Sequence, residues 1–85
     1  MSSLSTPKKG FGLRIAEARK AAGFSQKSLQ DALGWPSDSN ARLSGYENEV
    51  REPSLNDFER IAALCNVEPS WLAFAQTSRR RKAVA

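Results

Sequence analysis

The sequence contains no histidine, a single cysteine and no long apolar run, and each absence excludes a class of function. Without histidine, imidazole base catalysis and ordinary zinc chemistry are excluded. Cys65 alone cannot form an intrachain disulfide or a thiolate metal site, which favours a reducing compartment. No run of about 18 apolar residues is present to span a bilayer, and the N-terminus lacks the apolar segment of a secretory signal. We therefore expect a cytoplasmic protein with no metal, no cofactor and no membrane partner.

The basic residues are concentrated near the ends of the chain. The 85 residues include 13 Lys/Arg and 9 Asp/Glu, a net charge of +4. Between residues 10 and 78, however, seven Lys/Arg face nine Asp/Glu, a balance of −2. Overall charge is therefore weak evidence for a nucleic-acid surface on the folded part. We expect a flexible segment over residues 1–9, one domain over residues 10–75 and a basic, disordered tail over residues 76–85.

Residues 25–48 are typical of two helices joined by a short turn. Ser25 is suited to cap the first helix, and Gly34 is suited to end it in a left-handed conformation. Because Pro36 prevents a continuous helix, a second helix is expected to begin at Ser37 or Ser39. Its outward face is small and polar, which suits a DNA groove about 12 Å wide. A solvated surface helix fits the same composition.

Leu43 and Tyr46 lie three residues apart and are expected to face inward from the second helix of this pair, which is helix three of the chain.

Helix one precedes this pair and ends at Gly23. Its apolar positions recur at helical spacing: Phe11, Ile15, Ala18 and Ala22. Arg14 is expected on the wetter side of helix one, whereas Arg19, next to the apolar stripe, is placed to reach an acid elsewhere.

Two more helices complete the predicted all-α fold. Ser54 is suited to cap helix four, with Asp57 in the reciprocal position of a capping box. The apolar face of helix four is predicted to comprise Leu55, Phe58, Ile61, Ala62, Leu64 and Cys65. Helix five is predicted to begin at Pro69, where a missing N–H costs nothing, and its Trp71 and Leu72 are expected to close the core.

The order of several short motifs resembles the phage Cro/repressor (XRE) family of helix-turn-helix regulators. Ser25-Gln26 opens helix two, Tyr46-Glu47-Asn48 closes helix three, and Arg51-Glu52-Pro53-Ser54 opens helix four. The resemblance covers about residues 10 to 75. It implies a compact five-helix, lambda-repressor-like DNA-binding domain in which helices 2 and 3 form the helix-turn-helix.

The resemblance also implies roles for individual residues. Gln26, with Lys27 beside it, matches a phosphate-binding position at a helix N-terminus. Arg19 and Glu47 match a structural ion pair between helices one and three. The residues implied to face the bases are Asp38, Ser39, Asn40, Ala41, Arg42, Ser44 and Gly45. Asn48 and Arg51 match positions that approach the DNA backbone or the minor groove.

Among the base-facing residues, Arg42 is suited to guanine, Asn40 to adenine and Ala41 to a thymine methyl group. Three features depart from the family pattern. Gln30 stands where a small residue is usual, the interval from Gly34 to Leu43 is about three residues longer than the common one, and Glu49 replaces a glycine and puts a negative charge near the expected phosphate path. We expect Trp35 to cover the joint between helices two and three rather than to stack on a base.

These features predict a sequence-specific double-stranded DNA-binding transcriptional regulator, a repressor that binds a pseudo-palindromic operator as a homodimer. One alternative is an antitoxin-type repressor that also binds a toxin. Another is a protein-interaction module that uses the fold without DNA, which the acidic balance together with Asp38 and Glu49 would suit. An enzyme is not expected, because the chain has no glycine-rich phosphate loop and offers little room for a cavity.

Overall fold

The computed structural model describes residues 9–36 and 40–76, and only the backbone of residue 40. It contains helices α1 (Phe11–Ala21), α2 (Gln26–Leu33), α3 (Asn40–Glu47), α4 (Leu55–Cys65) and α5 (Pro69–Phe74). No β-strand occurs in these ranges, which confirms the all-α prediction. The predictions for residues 1–8 and 77–85, and the predicted start of helix three at Ser37 or Ser39, lie outside the described residues.

Local capping explains where α2 begins and ends. Ser25 Oγ accepts from Ser28 N–H at 3.0 Å, and Ser28 Oγ in turn accepts from Ser25 N–H at 2.9 Å. This reciprocal pair is a capping box that the sequence analysis did not anticipate. At the other end Gly34 has φ +78°, the left-handed conformation predicted for it.

One of the two hydrogen bonds predicted for the N-terminal cap of α4 is present. Ser54 Oγ accepts from Asp57 N–H at 3.1 Å, as expected. The reciprocal bond predicted from Ser54 N–H to the Asp57 carboxylate is wrong. That carboxylate is buried and accepts from Tyr46 and Arg42 on α3 instead. A phenol and a guanidinium are stronger donors than a backbone N–H that water can still reach.

The core lies between α1, α4 and α5 on one side and the α2–α3 pair on the other. Its largest fully buried side chains are Ile15, Leu29, Leu33, Leu43, Phe58, Ile61 and Leu72. Phe11 packs edge-on against Phe58, with ring centroids 5.9 Å apart. Leu72 closes the core as predicted, and Trp71 packs against it while half-buried.

Three predicted core positions are wrong. Leu55 is 67% exposed, Leu64 is 38% exposed, and Ala22 is exposed just beyond the end of α1. Helical spacing places these residues near the apolar stripes, but no neighbouring helix covers them. Within the described ranges, no helix is long and apolar enough to cross a membrane.

Two contacts of α1 position the helices α3 and α5. Gly12 lies against the last turn of α3, where a Cβ on Gly12 would come within 2.7 Å of the Glu47 carbonyl carbon. Arg14, predicted on the wetter side, is half-buried and donates to the carbonyls of Leu72 at 2.9 Å and Ala73 at 3.0 Å. Desolvation by this burial lowers the pKa of Arg14. Helix α1 therefore fixes both the end of α3 and the end of α5.

Candidate nucleic-acid interface

The described part of the outward face of α3 consists of small residues. Leu43 is fully buried and Tyr46 is 6% exposed, so both face the core. Ala41 is exposed and Ser44 and Gly45 are half-buried on the remaining surface. Of the other residues implied to face bases, Asp38, Ser39 and the side chain of Asn40 lie outside the described part of the chain. Short side chains therefore line the described part of this surface.

Exposed polar groups also lie at the C-terminal end of α3. Asn48 donates from Nδ2 to the Ser44 carbonyl at 2.9 Å and to Ser44 Oγ at 3.2 Å. Arg51 is exposed, and its methylene groups lie beside Gly45, where an added Cβ would be 3.3 Å from Arg51 Cδ. The loop returns to α3 through Val50 N–H, which donates to the Gly45 carbonyl at 2.9 Å. Asn48 and Arg51 are therefore presented from an ordered loop.

The N-terminus of α2 supplies a second cluster of donors. Gln26 is half-buried and donates from Nε2 to Glu47 Oε1 at 3.0 Å. Lys27 Nζ lies 3.5 Å from Asp31 Oδ2, but the Lys27 side chain is 82% exposed. Such an exposed pair contributes little to stability, so the ammonium group is free to exchange partners. The first-turn N–H groups of a helix also carry partial positive charge.

Arg19 and Glu47 lie in contact between α1 and α3. Arg19 Nε donates to Glu47 Oε2 at 2.6 Å, and Arg19 Nη2 donates to Glu47 Oε1 at 3.2 Å. The side chains are only 10% and 8% exposed. Because Glu47 also accepts from Gln26, one carboxylate joins α1, α2 and α3. Loss of either charge would leave the other desolvated and unpaired, which is strongly destabilising.

The Glu49 side chain binds the N-terminus of α1, whereas the sequence analysis expected its charge near the phosphate path of DNA. The carboxylate Oε2 accepts from Gly10 N–H at 3.0 Å and from Gly12 N–H at 3.2 Å. These are unpaired donors at the N-terminus of α1, where the helix dipole favours a negative charge. Glu49 itself has φ +60°, which turns its side chain back toward α1. Its charge is thus bound within the domain rather than directed at the expected phosphate path.

Arg42 contacts three other side chains. Its Nη2 donates to Asp57 Oδ2 at 2.9 Å, and its Nε donates to Tyr46 OH at 3.3 Å. Arg42 Cζ lies 4.0 Å from the centroid of the Trp35 ring, a cation–π contact. The hydrogen bond to Tyr46 is the largest influence on Arg42 and raises its pKa, and the bond to Asp57 acts in the same direction.

Trp35 covers the joint between α2 and α3, as predicted. It is 7% exposed and packs edge-on against Tyr46, with ring centroids 5.9 Å apart. Gln30 stands where the family usually has a small residue. It is 6% exposed, and its side-chain oxygen accepts from Leu43 N–H at 3.2 Å. A buried side-chain amide here therefore ties α2 to α3 directly. Sequence reasoning missed this role because the partner is a backbone group 13 positions away.

Potential metal ligands are dispersed among the described residues, and the one thiol is buried. No group of three or more His, Cys, Asp or Glu in them is placed to hold a metal ion. Cys65 is 6% exposed, and its burial raises the pKa of the thiol to about 11. A protonated, buried thiol is a poor nucleophile and a poor metal ligand.

Comparisons with known proteins agree with this geometry. The helix-turn-helix family matches residues 15–72. The HTH-type transcriptional regulator ImmR of Bacillus subtilis (strain 168) is 34% identical over 62 residues, which cover 73% of this chain and 46% of ImmR. The chain therefore spans less than half the length of that relative. No solved structure gave a significant match. The chain belongs to the XRE-like helix-turn-helix family of DNA-binding transcriptional regulators.

Proposed function

We propose that this chain is a sequence-specific double-stranded DNA-binding repressor that inserts α3 into the major groove. The observation that carries the proposal is the face of small residues on the described part of α3, flanked by exposed donors at the α2 N-terminus and in the loop after α3. The described residues of this face offer little apolar area to bury against a protein partner. A helix of this size fits the width of the major groove, where short side chains can reach base edges.

Phosphate contacts would come from both sides of α3. Gln26 stands at the first position of α2, and Glu47 holds its side-chain amide in place at 3.0 Å. One oxygen of a phosphate can accept from this amide and from the first-turn N–H groups of α2, with Lys27 adding charge. Asn48 and Arg51 would bind the backbone beyond the other end of α3. Two separated anchors of this kind fix the register of a helix on the duplex.

Base contacts would come from the outward face of α3. Ala41 suits a thymine methyl group and Ser44 offers a short donor and acceptor, while Gly45 lies beside the Arg51 methylene groups and would act together with that side chain. Asp38, Ser39 and Asn40 belong to the same proposed surface, in which Asn40 would pair with adenine. Each well-formed base contact would contribute about 1–3 kcal/mol of discrimination. We propose that a homodimer reads two half-sites about 34 Å apart, as regulators of this type do.

The protein-interaction alternative rested on the acidic balance of the domain. Three of those acids, Glu47, Glu49 and Asp57, accept hydrogen bonds from within the domain. Glu47 and Asp57 are shielded from a basic partner, whereas Glu49 is exposed and uses its Oε2 atom to cap α1. A toxin partner remains compatible with the proposed DNA surface, since an antitoxin-type repressor would bind its toxin elsewhere.

Selection of bound sequences from a random duplex pool, at about 150 mM salt, tests the proposal. We expect a motif with two related half-sites. Lys27→Ala should weaken binding to all sequences alike and reduce the salt slope by about 1. Asp31→Asn is the matched control, because it breaks the same exposed ion pair without removing a cation. If no motif emerges from the wild-type chain, the proposed function is wrong.

A further inference from the structure

We propose that Arg42 is a positioning residue that fixes α3 against α4, and that it does not read a base. This inference rests on the proposed function, because it concerns how α3 is presented to DNA. It replaces the expectation that Arg42 binds guanine. The reason is that Arg42 donates two hydrogen bonds within the domain and stacks on Trp35, although it lies on the helix that carries the base contacts.

Arg42 joins three parts of the chain at one point. Asp57 lies in the first turn of α4, Trp35 lies in the turn after α2, and Tyr46 lies one turn further along α3. Tyr46 OH also donates to Asp57 Oδ2 at 2.7 Å, so one carboxylate oxygen binds both α3 side chains. The flat guanidinium group lies over the Trp35 ring at 4.0 Å while it makes these bonds. This combination of stacking and directed hydrogen bonds is specific to arginine.

The burial of Asp57 holds Arg42 in place. The Asp57 side chain is 7% exposed, whereas the Arg42 side chain is 34% exposed. If Arg42 turned outward to a base edge, the buried Asp57 carboxylate would lose its cationic partner, and Tyr46 OH would be its one remaining side-chain donor among the described residues. Leaving a buried carboxylate without its cation costs more than one base contact gains. Arg42 therefore remains on Asp57 when α3 enters the groove.

The consequence is a division of roles along α3. The Arg19–Glu47 pair fixes the C-terminal end of α3 to α1, and the Arg42–Asp57 pair fixes the preceding turn to α4. With both points held, the tilt of α3 is set before DNA binds. Sequence discrimination then falls to the short outward residues and not to the one long cation of this helix.

The test measures affinity for the selected operator and for each of its single-base variants. The proteins are the wild type, Arg42→Ala, Asp57→Ala and the double variant. We expect each single substitution to lower affinity for all duplexes by a common factor of roughly ten, with the double variant no worse than either. The base preferences of the wild type should be retained. A merely destabilising substitution elsewhere would not show this coupling between Arg42 and Asp57.

Arg42→Met is the second variant, because it keeps an aliphatic contact with Trp35 if Arg42→Ala does not fold. The fraction folded is measured for every variant by circular dichroism without DNA. Loss of preference at one base pair in Arg42→Ala or Arg42→Met, with the other positions unchanged, would overturn the inference. So would additive effects of Arg42→Ala and Asp57→Ala. If the wild type itself selects no sequence, the proposed function fails first and this inference falls with it.

Discussion

Replacing Gly12 by alanine tests the close packing of α1 against the end of α3. At a solvent-exposed position inside a helix, this substitution raises the free energy of unfolding by about 0.5–1 kcal/mol, because glycine loses more backbone entropy on folding. Gly12 is not solvent-exposed, because it packs against the end of α3. Its added Cβ would lie 2.7 Å from the Glu47 carbonyl carbon, closer still to the carbonyl oxygen, and 3.0 Å from Glu49 Cγ. The first two atoms are backbone and cannot rotate away, so α1 and α3 must separate.

The expected cost has two sources. Overpacking of a tight contact costs about 1–3 kcal/mol. Movement of α1 also weakens the bonds from Gly10 and Gly12 to Glu49, and a hydrogen bond to a charged group is worth about 1.5–3 kcal/mol. Against the gain in helix propensity, we expect a net loss of about 2–4 kcal/mol in the free energy of unfolding. For a domain of this size, that corresponds to a fall of roughly 10–30 °C in Tm.

Thermal and urea unfolding, followed by circular dichroism, measure this loss. Gly45→Ala is the matched control, since Gly45 is also within a helix but its added Cβ would meet the Arg51 side chain, with Cδ nearest at 3.3 Å. That side chain is exposed and can move, so we expect the stability of Gly45→Ala to lie within about 0.5 kcal/mol of the wild type or above it. Equal stability of the two variants would refute the proposed backbone contact between α1 and α3.

Two further predictions concern Glu49 and Cys65. Glu49→Gln should lower the free energy of unfolding by about 1–2 kcal/mol, because an uncharged amide caps the α1 N-terminus less well. The change should appear in urea unfolding, and Glu52→Gln, at an exposed position, should have no effect; equal losses in both variants would contradict the contact. Burial raises the pKa of Cys65 from 9.0 to about 11, and burial also raises the pKa of Tyr46. Because the folded state holds the Cys65 proton to higher pH, stability should be insensitive to this thiol below pH 9 and should fall as pH rises toward about 11, by at most about 1.4 kcal/mol per pH unit. The raised pKa of Tyr46 acts in the same direction. Cys65→Ala should remove the part that begins near pH 9, measured by urea unfolding across this range, and a thiol that reacts rapidly with a thiol reagent in the native protein at pH 8 would contradict the burial.

The sequence alone determined the local structure. Ser25 and Ser54 mark the starts of α2 and α4, and Gly34 marks the end of α2, because capping depends on residues only a few positions apart. Helical spacing likewise assigned Leu43 and Tyr46 to the inward side of α3. The motif order identified the family and implied the contact of Arg19 with Glu47, which the structure contains.

Spacing was less informative about how far each apolar face is covered. Leu55 and Leu64 lie near the apolar stripe of α4, yet both are exposed. The period of a helix shows which residues share a face, but the width of the buried part depends on which neighbours pack there. That is a property of the whole fold.

The partners of the charged side chains were decided by the tertiary structure alone. Glu49 caps a helix that begins 38 positions earlier, and Arg42 binds an acid 15 positions later on another helix. A carboxylate or a guanidinium can pair with many different groups. The residues next to it in the sequence therefore do not indicate which partner it will have once it is buried. Once α1, α3 and α4 pack, only a few donors and acceptors remain within reach of one another away from water. The desolvation of these groups then makes their pairing obligatory, and that pairing determines which residues of α3 are left to face outward.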